Sequence, residues 1–414
     1  MSNDIPCGDY DPAALPAEFV KIYGGTETDV RVFAAPARIN IIGEHIDYNG
    51  GKVFPAAIDK YIYVAVRKHT GNDMKVVYND LKFPGTFTFD LTQDLTYRKE
   101  NGYANYLNGI LTILKRRGCT FDCGFDVLMV SNIPPAGGIS SSSALECGFA
   151  YAVSELFGLG ISRKDIALIG QQSEHEFMNV NCGIMDQYII ATARRNTAEV
   201  LDCAKVECEY VPLELGDYRF VVMNTKKKRQ LADSKYNERR SQCEAGLASL
   251  RAAAVSLPEG GPCRNTADLP DLCSLTERQF EACSHVLTDK VIQQRVRHCV
   301  TENARVLSAV EALKQGDLRR LGSLLKASHE SLKTDYEVTG LELDTLADAA
   351  NAFPGCIGAR MTGAGFGGCA IALVHKDSTD SFIEHVQTVY TKAVGHDAGF
   401  FACTSGDGVT ELSL

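Results

Sequence analysis

Four groups able to carry charge, Arg38, Glu44, His45 and Asp47, fall within ten residues of one another in RINIIGEHIDYNGG (38–51). Such a set can hold a polar molecule by hydrogen bonds and steady a developing charge. A second cluster lies in SNIPPAGGISSSSALE (131–146), where Gly137 and Gly138 precede four serines, 140–143, and then an apolar helical run. Glycine lets the backbone approach a ligand closely. The first helical turn leaves N–H groups unpaired with the positive end of the macrodipole behind them, and serine hydroxyls add donors and can ligate a metal. Together these form an anion cradle suited to a polyphosphate; a cap alone would need one serine. The third cluster, SEHEFMNVNCGIMDQYI (173–189), puts Glu174 late on one helix and Asp186 in the first turn of the next, across a small loop at Cys182-Gly183. Singly, each acid is a dipole partner or a solvated side chain. Beside a phosphate cradle they supply what phosphoryl transfer needs: a cation site and a group that addresses the acceptor hydroxyl.

The elements that must position these groups can be drawn from local pattern. The run Ile39, Ile41, Ile42 reads as a strand entering a core and breaking at Gly43. Segments 61–67 and 74–79 are strand-like, 103–118 has helical spacing ending in Lys-Arg-Arg-Gly, and 125–134 is again a strand. An apolar helix follows the serines, and Ser162 caps another running through 164–178. Strands return near 196–223, a mostly helical half begins at about 230, and 256–273 is the least regular piece. Residues 368–374 form a short buried strand. No internal repeat or low-complexity tract is present.

With 414 residues, two domains are expected, divided as 1–217 and 218–414. The composition, 45% hydrophobic and 23% charged, is that of a globular protein, and the net charge of −10 argues against nucleic-acid binding. The basic run 226–229 is most simply a solvated segment. The N-terminal stretch lacks the basic-then-apolar order of a secretory leader, and no apolar run reaches the roughly 18 residues of a membrane span. Fifteen scattered cysteines without a C-x-x-C pair imply reduced thiols in a cytoplasm, with Cys147, Cys182 and Cys369 as buried fillers. The P-loop pattern G-x-x-x-x-G-K-[ST] is absent. GAGFGG (363–368) matches G-x-G-x-x-G literally, but a strand follows it where a dinucleotide fingerprint requires a helix. It is expected to be a tight loop close to a ligand or to another loop.

Three segments then carry a resemblance. RINIIGEHIDYNGG resembles the signature of the galactokinases, IPPAGGISSSSALE the ATP loop of the GHMP kinase superfamily to which they belong, and RMTGAGFGGCAIAL its C-terminal glycine-rich motif; CGIMDQ and SKYNERRSQC also look like galactokinase segments. The matches run from about residue 30 to 375. The resemblance implies an α+β, two-domain GHMP kinase fold, with an N-terminal half like ribosomal protein S5 domain 2, a C-terminal α+β half, and the active site in the cleft between them. It implies ATP-dependent phosphorylation of D-galactose at the anomeric hydroxyl, with Mg2+. By position, Arg38 and Asp186 would be catalytic. Glu44, His45, Asp47, Gly183 and Tyr236 would bind the sugar, and Gly137, Gly138, Ser140, Ser141 and Ser142 the phosphates. Tyr103 and Tyr106 match positions near the adenine, although core packing would explain them equally. Ser142 and Glu174 would hold magnesium.

Ile46 stands where galactokinases usually carry Thr and N-acetylgalactosamine kinases Ile, while Asn49 and Gly51 follow the galactokinase pattern. Ala136 replaces a Gly found in many relatives. The alternatives are therefore a kinase of the same superfamily acting on N-acetylgalactosamine or galacturonate, and a non-catalytic galactose sensor; against the sensor stand the intact serine run and Asp186. Expected partners are small molecules only, with no nucleic acid and no membrane, and the chain is expected to be a monomer or weak homo-oligomer. A sugar hydroxyl is far less acidic than an Asp carboxyl, so proton transfer to Asp186 is expected to accompany phosphoryl transfer, with Arg38 holding the carboxylate ionised.

Overall fold

The computed structural model describes residues 10–78, 85–134, 137–227, 232–256, 263 and 266–414. The masked positions take in Ala136, part of the basic run at 226–229 and much of the irregular stretch at 256–273, so those expectations lie outside the described residues. The first half contains α1 (Leu15–Tyr23), β1 (Arg31–Asn40), β2 (Lys52–Val53), β3 (Pro55–His69), β4 (Asp73–Tyr78), β5 (Gly85–Asp90), α2 (Ala104–Arg116), β6 (Gly124–Ser131), α3 (Ser141–Phe157), α4 (Arg163–Glu176), α5 (Met185–Thr192), β7 (Thr197–Asp202) and β8 (Glu207–Pro212). There follow β9 (Tyr218–Asn224), α6 (Ala232–Ser256), α7 (Glu277–Cys283), α8 (Lys290–Lys314), α9 (Leu318–Thr334), α10 (Leu341–Ala352), β10 (Cys356–Thr362), β11 (Cys369–His375), α11 (Thr379–Val394), β12 (Gly399–Cys403) and β13 (Thr410–Leu412).

A six-stranded sheet in the order β13-β1-β3-β6-β4-β5 forms the first half, antiparallel except for β4 beside β6. It is covered on both faces. Phe33, Ala35, Ala37 and Ile39 of β1 enter the main core, where α3 packs on β1 and β3, while Val32 and Ala34 turn the other way onto Leu15 and Phe19 of α1. That double burial explains why β1 shows little polar alternation. The register of β1 against β3 shifts between Pro36 and Ala37, where Pro has no N–H to give the ladder. This irregularity lies just ahead of Arg38, which ends buried.

A second sheet, β10-β11-β9-β12, is antiparallel throughout, with α9 and α10 packed on β10. The two sheets and their helix layers form the expected α+β arrangement. The chain crosses back at its end, since β13 pairs with β1. A small sheet, β2-β7-β8, lies against α8 and links the halves beside the 38–51 segment. GAGFGG joins β10 to β11, two paired antiparallel strands, which is incompatible with a βαβ dinucleotide unit. All described cysteines are free.

Helix α9 crosses β10 at a pair of glycines. A β-carbon on Gly358 would lie 2.5 Å from the Cα of Gly322 and 2.8 Å from its carbonyl carbon, so backbone itself would have to move. Gly358→Ala is therefore expected to lower stability by about 1–3 kcal/mol, the usual cost of overpacking. Urea unfolding checks this: an unchanged midpoint would show that the helix slides freely on the sheet.

Candidate functional site in the interdomain cleft

The strand β1 delivers Arg38 into a cleft whose walls come from both halves. Arg38 is 3% exposed, and its Nε and Nη2 donate to Oδ1 and Oδ2 of Asp186 at 2.8 and 2.7 Å. Its Nη1 donates to the carbonyl of Gly138 at 3.0 Å. This planar fork grips both carboxylate oxygens at once, which a lysine could not do. Asp186 lies in the first turn of α5, and its Oδ2 also accepts from the hydroxyl of Ser140. Its side chain is 29% exposed, so it is held from behind and open toward the cleft.

Ser140 occupies the N-cap position of α3 with φ 64°, a left-handed conformation costly for a residue with a β-carbon. Its hydroxyl does not cap the helix. It turns to Asp186, leaving the first turn of α3 without a side-chain cap. Gly138, Ser140, Ser141 and Ser142 all line that cleft. Gly137 does not; it packs behind, where a β-carbon would meet Cys369 Sγ at 3.4 Å and Asn224 at 3.5 Å. Glu174, near the end of α4, lines the same wall.

Glu44, His45, Asp47, Gly183 and Tyr236 line the cleft as well, bringing the signature loop, the turn before α5 and the start of α6 together. The whole cleft, serine loop included, holds about 240 Å³ and is lined largely by polar residues. Gly183 is required by contact: a β-carbon there would overlap the carboxylate of Asp47. Glu44 is 1% exposed; its Oε1 accepts from the Gly363 amide at 2.9 Å and its Oε2 is paired with Arg360. His45 sits at φ 63°, with Nε2 3.1 Å from the Ala364 carbonyl and Nδ1 2.7 Å from the Tyr48 hydroxyl. Burial lowers its pKa to about 3, so the ring is neutral. Both ring nitrogens thus have protein partners, and in this arrangement the ring of His45, expected to bind the sugar, joins the signature loop to the glycine loop.

The glycine loop closes the cleft. Gly363 has φ 84°, and a β-carbon on it would lie 2.6 Å from the Gly138 carbonyl oxygen, so this loop touches the phosphate loop directly. Tyr103 and Tyr106 are not among the described residues lining the cleft. Tyr103 is 9% exposed, edge-on to Phe87, with its hydroxyl donating to the Gly85 carbonyl at 3.2 Å, and Tyr106 packs against the core. Ile46 is fully buried and faces away from the cleft, against Gly51. Three residues that local pattern did not single out belong to the site's support: Arg360, Tyr48 and Tyr336. Arg360 did leave a signal, as a lone charge in the otherwise apolar strand before GAGFGG.

Burial, and then the neighbouring charge of Asp186, push the Asp47 carboxyl up to about 7. A raised acid favours the folded state fully below its ordinary range near 3.8, and that contribution is lost as pH rises toward 7. Asp47→Asn, which keeps the shape without the charge, is therefore expected to raise the melting temperature of the ligand-free protein more at pH 8 than at pH 5. An equal shift at the two pH values would show that Asp47 does not titrate in this window.

Comparison with known proteins agrees with this geometry. Residues 17–68 match the galactokinase galactose-binding signature, 105–194 the GHMP kinase N-terminal domain and 309–392 the GHMP kinase C-terminal domain. A galactokinase of Clostridium perfringens is 42% identical over 398 residues, covering 96% of this chain and 99% of that one. One of Streptococcus suis is 44% identical over 399 residues, covering 96% and 98%. The crystal structure of Lactococcus lactis galactokinase complexed with galactose superposes with a TM-score of 0.89 at 40% identity, covering 97% of this chain and 99% of that one. A mevalonate kinase at 19% identity, with a TM-score of 0.62, shares the fold. The chain belongs to the galactokinase family of the GHMP kinases and adopts their two-domain fold.

Proposed function

We propose that the chain transfers the γ-phosphoryl group of ATP to the anomeric 1-hydroxyl of D-galactose, giving galactose 1-phosphate and ADP, the entry step of galactose breakdown by the Leloir pathway. The observation that carries this reading is Asp186, gripped on both oxygens by Arg38 and facing a cleft whose other wall is the serine loop. A carboxylate has about four lone-pair sites, and protein donors already use three, two from Arg38 and one from Ser140. The remaining site can accept the acceptor hydroxyl's proton as the new P–O bond forms. Arg38 holds the carboxylate in place through both of its oxygens and offsets charge gathering on the transferred group. Glu44, Asp47, Gly183 and Tyr236 surround the sugar, and His45 holds the loop that carries two of them. The amides and hydroxyls from Gly138 to Ser142 take the phosphates, as the uncapped first turn of α3 favours.

GHMP kinases use ATP; magnesium with it is part of this proposal. The hydroxyl of Ser142 and the carboxylate of Glu174 are hard oxygen donors on one wall, as that ion prefers. Glu146, fully buried on α3, has its carboxyl pushed well above the ordinary range by burial and by the charge of Glu174, so negative charge is crowded here in the way a cation relieves. When bound, magnesium would neutralise charge on the phosphates. Among the described residues no cluster of three or more His, Cys, Asp or Glu side chains could hold a metal, so ATP oxygens and water would complete its shell.

Galactose is favoured over N-acetylgalactosamine because Ile46, the residue that differs between the two subfamilies, is buried and does not face the cleft. We take galactose and ATP as the partners, with no nucleic acid or membrane, a monomer or weak homo-oligomer, and the cytoplasm as location. The net charge of −10 and free described cysteines support this reading, and no helix among the described residues is long and apolar enough to cross a membrane. The domain division at 217/218 is likewise proposed, supported by the membership of β9 in the second sheet.

A coupled ADP assay across galactose, N-acetylgalactosamine, galacturonate, arabinose and glucose is expected to give the highest kcat/KM for galactose. Asp186→Asn should lower kcat on galactose by about 100-fold or more, in line with loss of a proton acceptor, while ATP still protects the variant against heat; retention of over about a tenth of kcat, 1.4 kcal/mol, removes Asp186 from the chemistry. Ser142→Ala and Glu174→Gln are each expected to raise the magnesium concentration giving half-maximal rate. Unchanged magnesium dependence in both variants would move the ion elsewhere.

A further inference from the structure

Behind the sugar side of the cleft runs an unbroken series of side-chain contacts. The Ala364 carbonyl lies 3.1 Å from His45 Nε2, and His45 Nδ1 lies 2.7 Å from the Tyr48 hydroxyl. The Tyr48 hydroxyl is 2.9 Å from that of Tyr336, which is 3.1 Å from Cys243 Sγ; Cys243 Sγ in turn lies 3.7 Å from Cys299 Sγ. Elementary chemistry orders every proton in it. A carbonyl only accepts, so Nε2 carries the proton of the neutral ring, and Nδ1 must accept. Tyr48 therefore donates to His45. Its single proton is then spent, so Tyr336 donates to Tyr48, the Cys243 thiol donates to Tyr336, and Cys299 donates to Cys243.

We propose that Tyr48 and Tyr336 are positioning residues of the acceptor-sugar site, acting through this ordered series to lock His45 as the Nε2–H tautomer and pin the 38–51 segment to the glycine loop. The proposal rests on reading this cleft as the sugar site. His45 is non-glycine at φ 63°, a conformation that persists only where its surroundings over-determine it. The surroundings here are these contacts, together with the Tyr336 and Tyr236 rings 4.9 and 5.4 Å from the imidazole and Asn49 donating to the His45 carbonyl at 2.9 Å. Glu44 and Asp47 flank His45 in the chain. Release of His45 would free the segment that carries Glu44 and Asp47, which line the sugar side, whereas no residue of the serine loop belongs to the series. The effect therefore falls on the sugar and spares ATP.

Tyr48→Phe and Tyr336→Phe keep the rings and remove only the hydroxyls. Each is expected to raise the KM for galactose about threefold or more, the loss of one net hydrogen bond, with kcat and the KM for ATP within about twofold. Imidazole 15N shifts of the ligand-free protein, with the His45 signals assigned by their loss in His45→Asn, provide a readout independent of turnover. The wild type is expected to show His45 with Nε2 protonated and Nδ1 bare, and Tyr48→Phe a mixture of tautomers. Cys243→Ser, which retains a donor to Tyr336, is expected to behave as wild type in both measurements. A wild-type Nδ1–H tautomer would overturn the proposal, as would phenylalanine variants that change neither the tautomer nor KM. So would KM values for sugar and ATP rising equally, the mark of general loosening. Should the wild type phosphorylate none of the sugars tested, the functional reading fails, while the nitrogen shifts still decide whether the series orders His45.

Discussion

The cleft is organised around a charge that never reaches water. Arg360, fully buried at the end of β10, donates through Nη1 to the carbonyls of Asn40 and Ile41 at 3.1 Å each, and its Nη2 faces Glu44 and, 3.8 Å away, Glu302. Glu302 on α8 accepts from the Gly43 amide at 3.0 Å and from Ser328 of α9 at 2.6 Å, and its Oε2 is paired with Arg305 at 2.7 Å. Two arginines thus meet two glutamates. Burial alone would raise the Glu302 pKa, but Arg305, His298 and Arg360 outweigh it and bring it to about 2. Such a buried knot contributes little net stability against an apolar alternative, because desolvation opposes the attraction. What it does supply is registration: the end of β1, the signature loop, α8, α9 and the glycine loop can satisfy these charges in one mutual arrangement, and that arrangement aims Glu44 and Arg38 into one cleft.

Arg38 repeats the device on a smaller scale at the surface of the same cleft. Its neighbour in space, Asp186, is 148 positions away in the chain, and Gly138 is 100 away. The position of the carboxylate is therefore set by a cation at the end of β1 rather than by α5 alone. Ser140 gives up capping α3 to serve the same carboxylate, which couples the phosphate loop to the group that addresses the acceptor.

Local pattern made much of this legible. The Ser162 cap, the helix after the serines and the strand after GAGFGG lie where residue types and spacing put them, because each depends on near neighbours, whereas β1 ends at Asn40, before Ile41 and Ile42. Much of the cleft's lining also followed once three motifs were seen together, while Gly137, Tyr103 and Tyr106 lie outside it. What stayed hidden depends on contacts between distant segments. Nothing local marks Tyr336 as the partner of Tyr48, 288 positions away, or tells that Arg360 is buried. Ile46 is instructive in another way. A simple strand alternation would turn it from the ligand, and it is turned away, yet the segment is no strand: His45 is left-handed and Asp47–Asn49 form a 3₁₀ turn. Tyr103 could not be assigned from pattern at all, since an aromatic at a helix start packs equally well on a ligand or, as here, on Phe87.

The carbonyl of Gly138 connects these scales. It accepts from Arg38 at 3.0 Å on one side and faces Gly363 on the other, at a distance that leaves no room for a β-carbon. Gly363 in turn donates its amide to Glu44, whose other oxygen is held by the Arg360 knot. The phosphate loop and the glycine loop are thereby spaced by backbone against backbone, with rotamer-free atoms at the point of contact. Phosphoryl transfer depends on holding donor and acceptor oxygens in line and close, where an error of about 1 Å costs orders of magnitude in rate. Side chains that hop between rotamers would set that spacing loosely. A glycine at φ 84° pressed on a carbonyl sets it by hard-sphere contact, and this accounts for the glycine at 363.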